Sequence, residues 1–205
     1  MMPRSLLRLP GRGALRPTTS KGRMLLVAAV TAVLAMGAGS VLAAIIAVTP
    51  DVVLFTPADV RLNQTQSNVQ IDGFDEQQCI QLGAPLQTDQ GFIPAQSWVS
   101  CHFFHMDPVT SAVLDGKARF DGDILGVISS SALLDASEPT CQIPNVTYPV
   151  AGAEVNRGLE AFQPNDRYQI IDAGRGIHIE MDVPFFSFTD QLRVITCCPG
   201  HECGD

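Results

Sequence analysis

The chain has 205 residues, 46% hydrophobic and 17% charged, which excludes a disordered polyelectrolyte, and its formal net charge is −8. Six basic residues (Arg4, Arg8, Arg12, Arg16, Lys21, Arg23) precede residue 24, and the first acid is Asp51. The other 7 basic and 21 acidic residues give the remainder a charge of 7 − 21 = −14, which excludes a phosphate-binding nucleic-acid surface.

Residues 1–23 read as a basic leader and Met24–Val48 as 25 uncharged residues. That order, positive then apolar, is an export signal, and the Lys/Arg excess keeps the N-terminus cytoplasmic. Two fates are open. Val41, Leu42 and Ala43 offer a signal-peptidase site with cleavage after Ala43. Alternatively the run stays as an anchor, since a bilayer core of about 30 Å takes roughly 20 apolar residues. Its Ala/Gly content makes it only moderately apolar, which favours cleavage. Membrane contact is expected only through residues 24–48, and only if they are retained. Residues 49–66 read as a looser lead-in and 67–205 as one domain, long enough to bury a real core.

After the leader, short strands separated by turns dominate. Asp51–Phe55 is a β-rich run. Trp98–Phe104 alternates, with Val99, Cys101 and Phe103 on one face and Trp98, Ser100, His102 and Phe104 on the other. Lys117–Asp121 turns Ala118 and Phe120 inward, and Gly122 bends the chain before Ile124–Ser129. Ser130–Ser137 predicts one short helical turn. Gly176–Pro184 alternates most cleanly, with Ile177, Ile179, Met181 and Val183 opposite His178, Glu180 and Asp182. Leu192–Thr196 closes the series. Turn clusters, among them Asp115-Gly116 and Ala173-Gly174-Arg175-Gly176, separate the runs. The pattern predicts an all-β fold, an antiparallel β-sandwich behind an N-terminal signal or anchor helix.

Several segments carry a family resemblance. They are Phe74-Asp75-Glu76-Gln77-Gln78, Phe120-Asp121-Gly122-Asp123-Ile124-Leu125-Gly126-Val127 and Ser131-Ala132-Leu133-Leu134-Asp135-Ala136, then Tyr148-Pro149, Arg157-Gly158-Leu159-Glu160 and Asp190–Thr196. In that order the chain resembles a group of bacterial exported β-rich proteins, many ending in a PEP-CTERM sorting tail. The resemblance implies export and a β fold, and no activity. In place of the sorting tail the sequence closes with Thr196-Cys197-Cys198-Pro199-Gly200-His201-Glu202-Cys203-Gly204-Asp205.

The six cysteines, Cys79, Cys101, Cys141, Cys197, Cys198 and Cys203, all follow the leader. An even count in an exported chain predicts disulfides. Cys79 with Cys101 is the first expected pair, and Cys197 or Cys198 bridged to Cys141 would pin the chain end. The three thiols and His201 of the tail are also ligand types for zinc or copper(I). Cys101 beside His102, with His105, raises a nucleophile site, although alternation puts the thiol and the imidazole on opposite faces.

His178, Glu180 and Asp182 project from one strand face and, with His102 or His105, form a possible metal set. Asp72, Asp75 and Glu76, and separately Asp121 and Asp123, offer oxygen ligands for calcium, although neither group matches a known calcium loop. Asn63-Gln64-Thr65 and Asn145-Val146-Thr147 are glycosylation acceptors in a host with that machinery. No catalytic motif is present, so no cofactor is expected and no residue is assigned a catalytic role. The leading expectation is an exported, non-enzymatic envelope or surface module meeting an unidentified partner. The alternatives are a periplasmic or secreted metal-binding protein or enzyme using a His/Cys site, and a carbohydrate-binding module around Trp98.

Overall fold

The computed structural model describes residues 44–154, 156–159, 165–184 and 188–203. The basic leader and the apolar run as far as Ala43 lie outside the described residues. So the expected leader helix is not described, and among the described residues no helix is long and apolar enough to cross a membrane.

The chain is mostly β. Its strands in order are β1 (Ile45–Val48), β2 (Val52–Leu54), β3 (Ile71–Asp75), β4 (Ile80–Gln81), β5 (Leu86–Thr88), β6 (Gly91–Ile93), β7 (Trp98–Met106), β8 (Ala112–Phe120) and β9 (Ile124–Ile128). Helix α1 (Ser131–Cys141) follows, then β10 (Arg167–Ile171), β11 (Gly176–Val183) and β12 (Asp190–Cys197).

One sheet runs β1-β8-β11-β10, all antiparallel. Its inner face buries Ala118 and Phe120 from β8 and Ile177, Ile179, Met181 and Val183 from β11, as period-two alternation predicts. β8 extends further back than expected. Asp115-Gly116 is not a turn: Gly116 pairs with Ile179 inside the ladder. A Cβ on Gly116 would run into the Val52 side chain, so glycine is there for close packing rather than for a bend.

The second sheet runs β2-β3-β7-β12-β9, with β4 also on β7. The β2–β3 pair is parallel, against an otherwise antiparallel pattern. β7 is buried from Val99 to Met106 and β12 from Asp190 to Thr196. The reason is that this sheet is covered on both faces. On one side Phe104, Met106, Leu192 and Val194 join the inner face of the first sheet. On the other, Val99, Cys101, Phe103 and Ile195 pack with Leu134 and Cys141 of α1. Alternation along β7 therefore separates two cores instead of a core from water.

α1 has 11 residues, longer than the single turn expected. Its buried positions, Leu134, Ser137, Glu138 and Cys141, follow the i, i+3, i+4, i+7 spacing of one helix face. Two of those four are polar, so no apolar stripe announces the helix.

The described cysteines form three disulfides, Cys79–Cys198, Cys101–Cys141 and Cys197–Cys203. The expected Cys79–Cys101 pair does not form, although β4 does neighbour β7. The register sets Ile80 opposite Val99, so Cys79 comes beside Ser100, whose Oγ accepts its N–H at 2.9 Å. Cys101 points to the helix side and meets Cys141. Cys198 follows β12 past Trp98, donates to the Trp98 carbonyl at 3.1 Å, and reaches Cys79. The chain end is pinned through Cys79, not Cys141. Three disulfides fit an oxidising, extracellular or periplasmic setting.

Candidate functional site

The outer face of the four-stranded sheet gathers titratable groups from three strands. Registers Asp115↔Glu180 and Arg167↔Glu180 place Glu180 between β8 and β10. His178, two residues earlier on β11, shares that face. Its Nε2–H donates to Asp115 Oδ1 at 2.7 Å, and Nε2 lies 3.9 Å from Glu180 Oε1. The imidazole nitrogen and one oxygen of each carboxylate lie within 4.8 Å of one another. Arg167 closes the group, donating Nε and Nη2 to the two oxygens of Glu180 at 2.8 and 2.7 Å. Beside them is an open cavity of about 510 Å³ lined by Arg167, Tyr168, Gln169, His178 and Glu180.

One imidazole and two carboxylates are a mixed nitrogen and oxygen donor set suited to zinc or a similar divalent ion. The counter-charge that Glu180 has in this structure is the guanidinium of Arg167.

The structure unites only part of the expected set. Asp182 stands apart: its Oδ2 accepts from Asn165 Nδ2 at 2.8 Å, and its N–H donates to Asp166 at 2.6 Å. Asp115 was hidden because an Asp-Gly pair reads as a turn. Alternation carried back from Phe120 and Ala118 through Gly116 marks Asp115 as outward-facing, in line with Lys117.

His102 and His105 are in the interior. His102 Nδ1 contacts Asp75 Oδ1 at 2.7 Å and Nε2 contacts Thr196 Oγ1 at 2.9 Å. His105 is held by Thr65 Oγ1 at 2.7 Å and by Gln191 Nε2 at 3.2 Å. Burial, followed by the like charge of Arg157, pushes the His105 imidazole down to about 3. Thr65 of the first sequon is thus engaged with a buried ring.

The candidate oxygen clusters disperse. Asp72 accepts from Gln70 Nε2 at 2.6 Å, Asp75 serves His102, and Glu76 serves Arg193. Asp121 accepts from the Ala44 N–H at 2.8 Å, and Asp123 pairs with Arg175 at 2.6 Å. In the tail, Cys197 and Cys203 bond to each other and Cys198 bonds to Cys79, so these thiols are not metal ligands. His201 stacks on Trp98 with ring centroids 4.6 Å apart, covering one face of the indole.

No family model matches the chain, and no curated protein or solved structure matches it.

Proposed function

We propose that the protein acts outside the cytoplasm as a non-enzymatic envelope or surface module, a disulfide-stapled β-sandwich that meets its partner through the outer face of the four-stranded sheet. The observation that carries this reading is the use of all six cysteines in three disulfides. The basic-then-apolar leader and the resemblance to exported β-rich proteins point the same way. Residues of both large sheets meet in one hydrophobic cluster, which supports the sandwich. The Cys/His alternative loses its chemistry, because a nucleophile needs a free thiolate beside a base and these thiols are oxidised. The outer face offers both signs of charge, Lys117, Arg119 and Arg167 among Asp115, Glu180 and Asp182, which favours a polar partner over an apolar one.

Fractionation of expressing cells with thiol counting under denaturation tests the compartment. Recovery outside the cytoplasm with no free thiol is expected, and a cytoplasmic protein with reactive cysteines overturns the reading. A photo-crosslinker at Gln169 on the outer face should capture a partner that one at Asn145, on another surface, does not.

A second reading, a divalent-metal site, is favoured by the convergence of Asp115, His178 and Glu180. Zinc titration of the purified protein should show one site that is lost in His178→Ala. Equal binding by that variant removes it.

A further inference from the structure

The uncharged run of the sequence ends inside the folded domain. Ile45 is buried, belongs to the main core cluster and pairs with Phe120. Ala44, one residue earlier, is gripped twice by Asp121. Its N–H donates to Asp121 Oδ1 at 2.8 Å, and its carbonyl accepts the Asp121 N–H at 3.3 Å. The next N–H, that of Ile45, donates to Asp75 Oδ1 at 3.2 Å. Two carboxylates therefore converge on the successive backbone nitrogens of Ala44 and Ile45. Asp75 also faces His102, whereas among the described residues Asp121 forms no ion pair with a basic side chain. A backbone amide already gives a carboxylate a charge-assisted hydrogen bond, and a charged nitrogen at the same place adds the attraction of an ion pair.

From this geometry we propose that Ala44 is the mature N-terminus, released by a signal peptidase at the Ala43–Ala44 bond, and that its α-ammonium forms an ion pair with Asp121. The inference rests on the export reading. Val41 and Ala43 supply the small residues such a peptidase reads at the third and first positions before its cut. The peptidase adds water across the bond. Ala43 leaves as a carboxylate, and the Ala44 nitrogen takes up the remaining protons as an ammonium, its usual form below a pKa of about 8. Ala44 and Ile45 are both engaged by the fold, through Asp121 and through Asp75 and the core. A cut one residue later would discard the group that Asp121 holds and put Leu42 at the third position.

The test begins with the full chain expressed in a cell with a secretion pathway, followed by intact mass and N-terminal sequencing of the exported protein. A start at Ala44 is expected. An exported protein that begins elsewhere, or keeps its leader, overturns this inference and leaves the export reading standing. A chain retained in the cytoplasm overturns both.

The ion pair has its own readout. Selective acetylation of the α-amino group removes the charge and keeps an N–H donor. It should lower the melting temperature of the mature protein by about 2–4 °C. In the Asp121→Asn protein it should have no such effect. Equal shifts in both, or none in the unsubstituted protein, overturn the pairing. Should Asp121→Asn fail to fold, the sequenced terminus and the shift in the unsubstituted protein still decide.

Discussion

Arg193 and Glu76 form a two-pronged ion pair with both side chains fully buried. Arg193 Nε donates to Glu76 Oε2 at 2.6 Å and Nη2 donates to Oε1 at 2.7 Å. Its Nη1 reaches α1, donating to the Leu134 carbonyl at 3.2 Å and to the Ser137 hydroxyl. The guanidinium carbon lies 5.0 Å above the Phe103 ring. One side chain thus ties β12, the residue following β3, and the helix together.

Breaking that pair strands a buried charge. Glu76→Gln should cost about 3–5 kcal/mol in urea unfolding. The double variant Glu76→Gln, Arg193→Met should recover a large part, since it leaves no unpaired charge. A Glu76→Gln protein as stable as the unsubstituted one would show that the pair does not hold the helix.

The three disulfides should differ in worth. In the chain-entropy picture, Cys79–Cys198, with a separation of 119, adds about 5 kcal/mol. Cys101–Cys141, with a separation of 40, adds about 4 kcal/mol, and Cys197–Cys203, with a separation of 6, about 2 kcal/mol. Paired Cys→Ser substitutions, measured by denaturant melts, should follow that order.

His105 should make the fold acid-sensitive. Its folded pKa, about 3, lies below the usual 6.5. Between those values the unfolded chain binds more protons, so stability is full above about 6.5 and falls as pH drops. The loss is at most about 1.4 kcal/mol per pH unit and ends near the folded value. His105→Gln should flatten the stability profile between pH 6 and 4, read from melts at each pH.

Asp190, at the start of β12, works in the opposite sense. Burial, then the carboxylate of Asp166 and that of Asp182, hold its pKa well above the usual carboxylate range. The folded chain keeps a proton that the unfolded chain releases. Stability from this group is full below the unfolded value near 4 and is lost as pH rises through the folded one. Asp190→Asn should raise the melting temperature at pH 7–8 and leave it nearly unchanged at pH 4. A larger gain at pH 4 would contradict this.

The strands of the four-stranded sheet were legible because one face meets the core and the other meets water. His178 and Glu180 could be placed on a shared outer face from spacing alone. Their partner Asp115 could not, because Asp-Gly carries a turn signal, whereas the ladder runs on through Gly116 opposite Ile179, with Val52 packed on the glycine. The central strand β7 was legible as a strand but not as a two-sided one. α1 was nearly silent, because Ser137 and Glu138 occupy its inward face to serve Arg193 and Arg157, and Pro139 lies within it. Disulfide partners depend on a one-residue register between β4 and β7, which composition does not encode.

The cysteine connectivity also imposes an order in time. A chain made and delivered N-terminus first brings out Cys79 and Cys101 early, while their true partners are still 119 and 40 positions behind them. Those two early thiols are each other's first available mates, Cys79 just before β4 and Cys101 on β7, two strands that pair. If those two thiols joined first, reaching the final pairs would take a thiol exchange that undoes their bond. An isomerase or a slow oxidant would each favour the three pairs seen here over the bond between sequence neighbours.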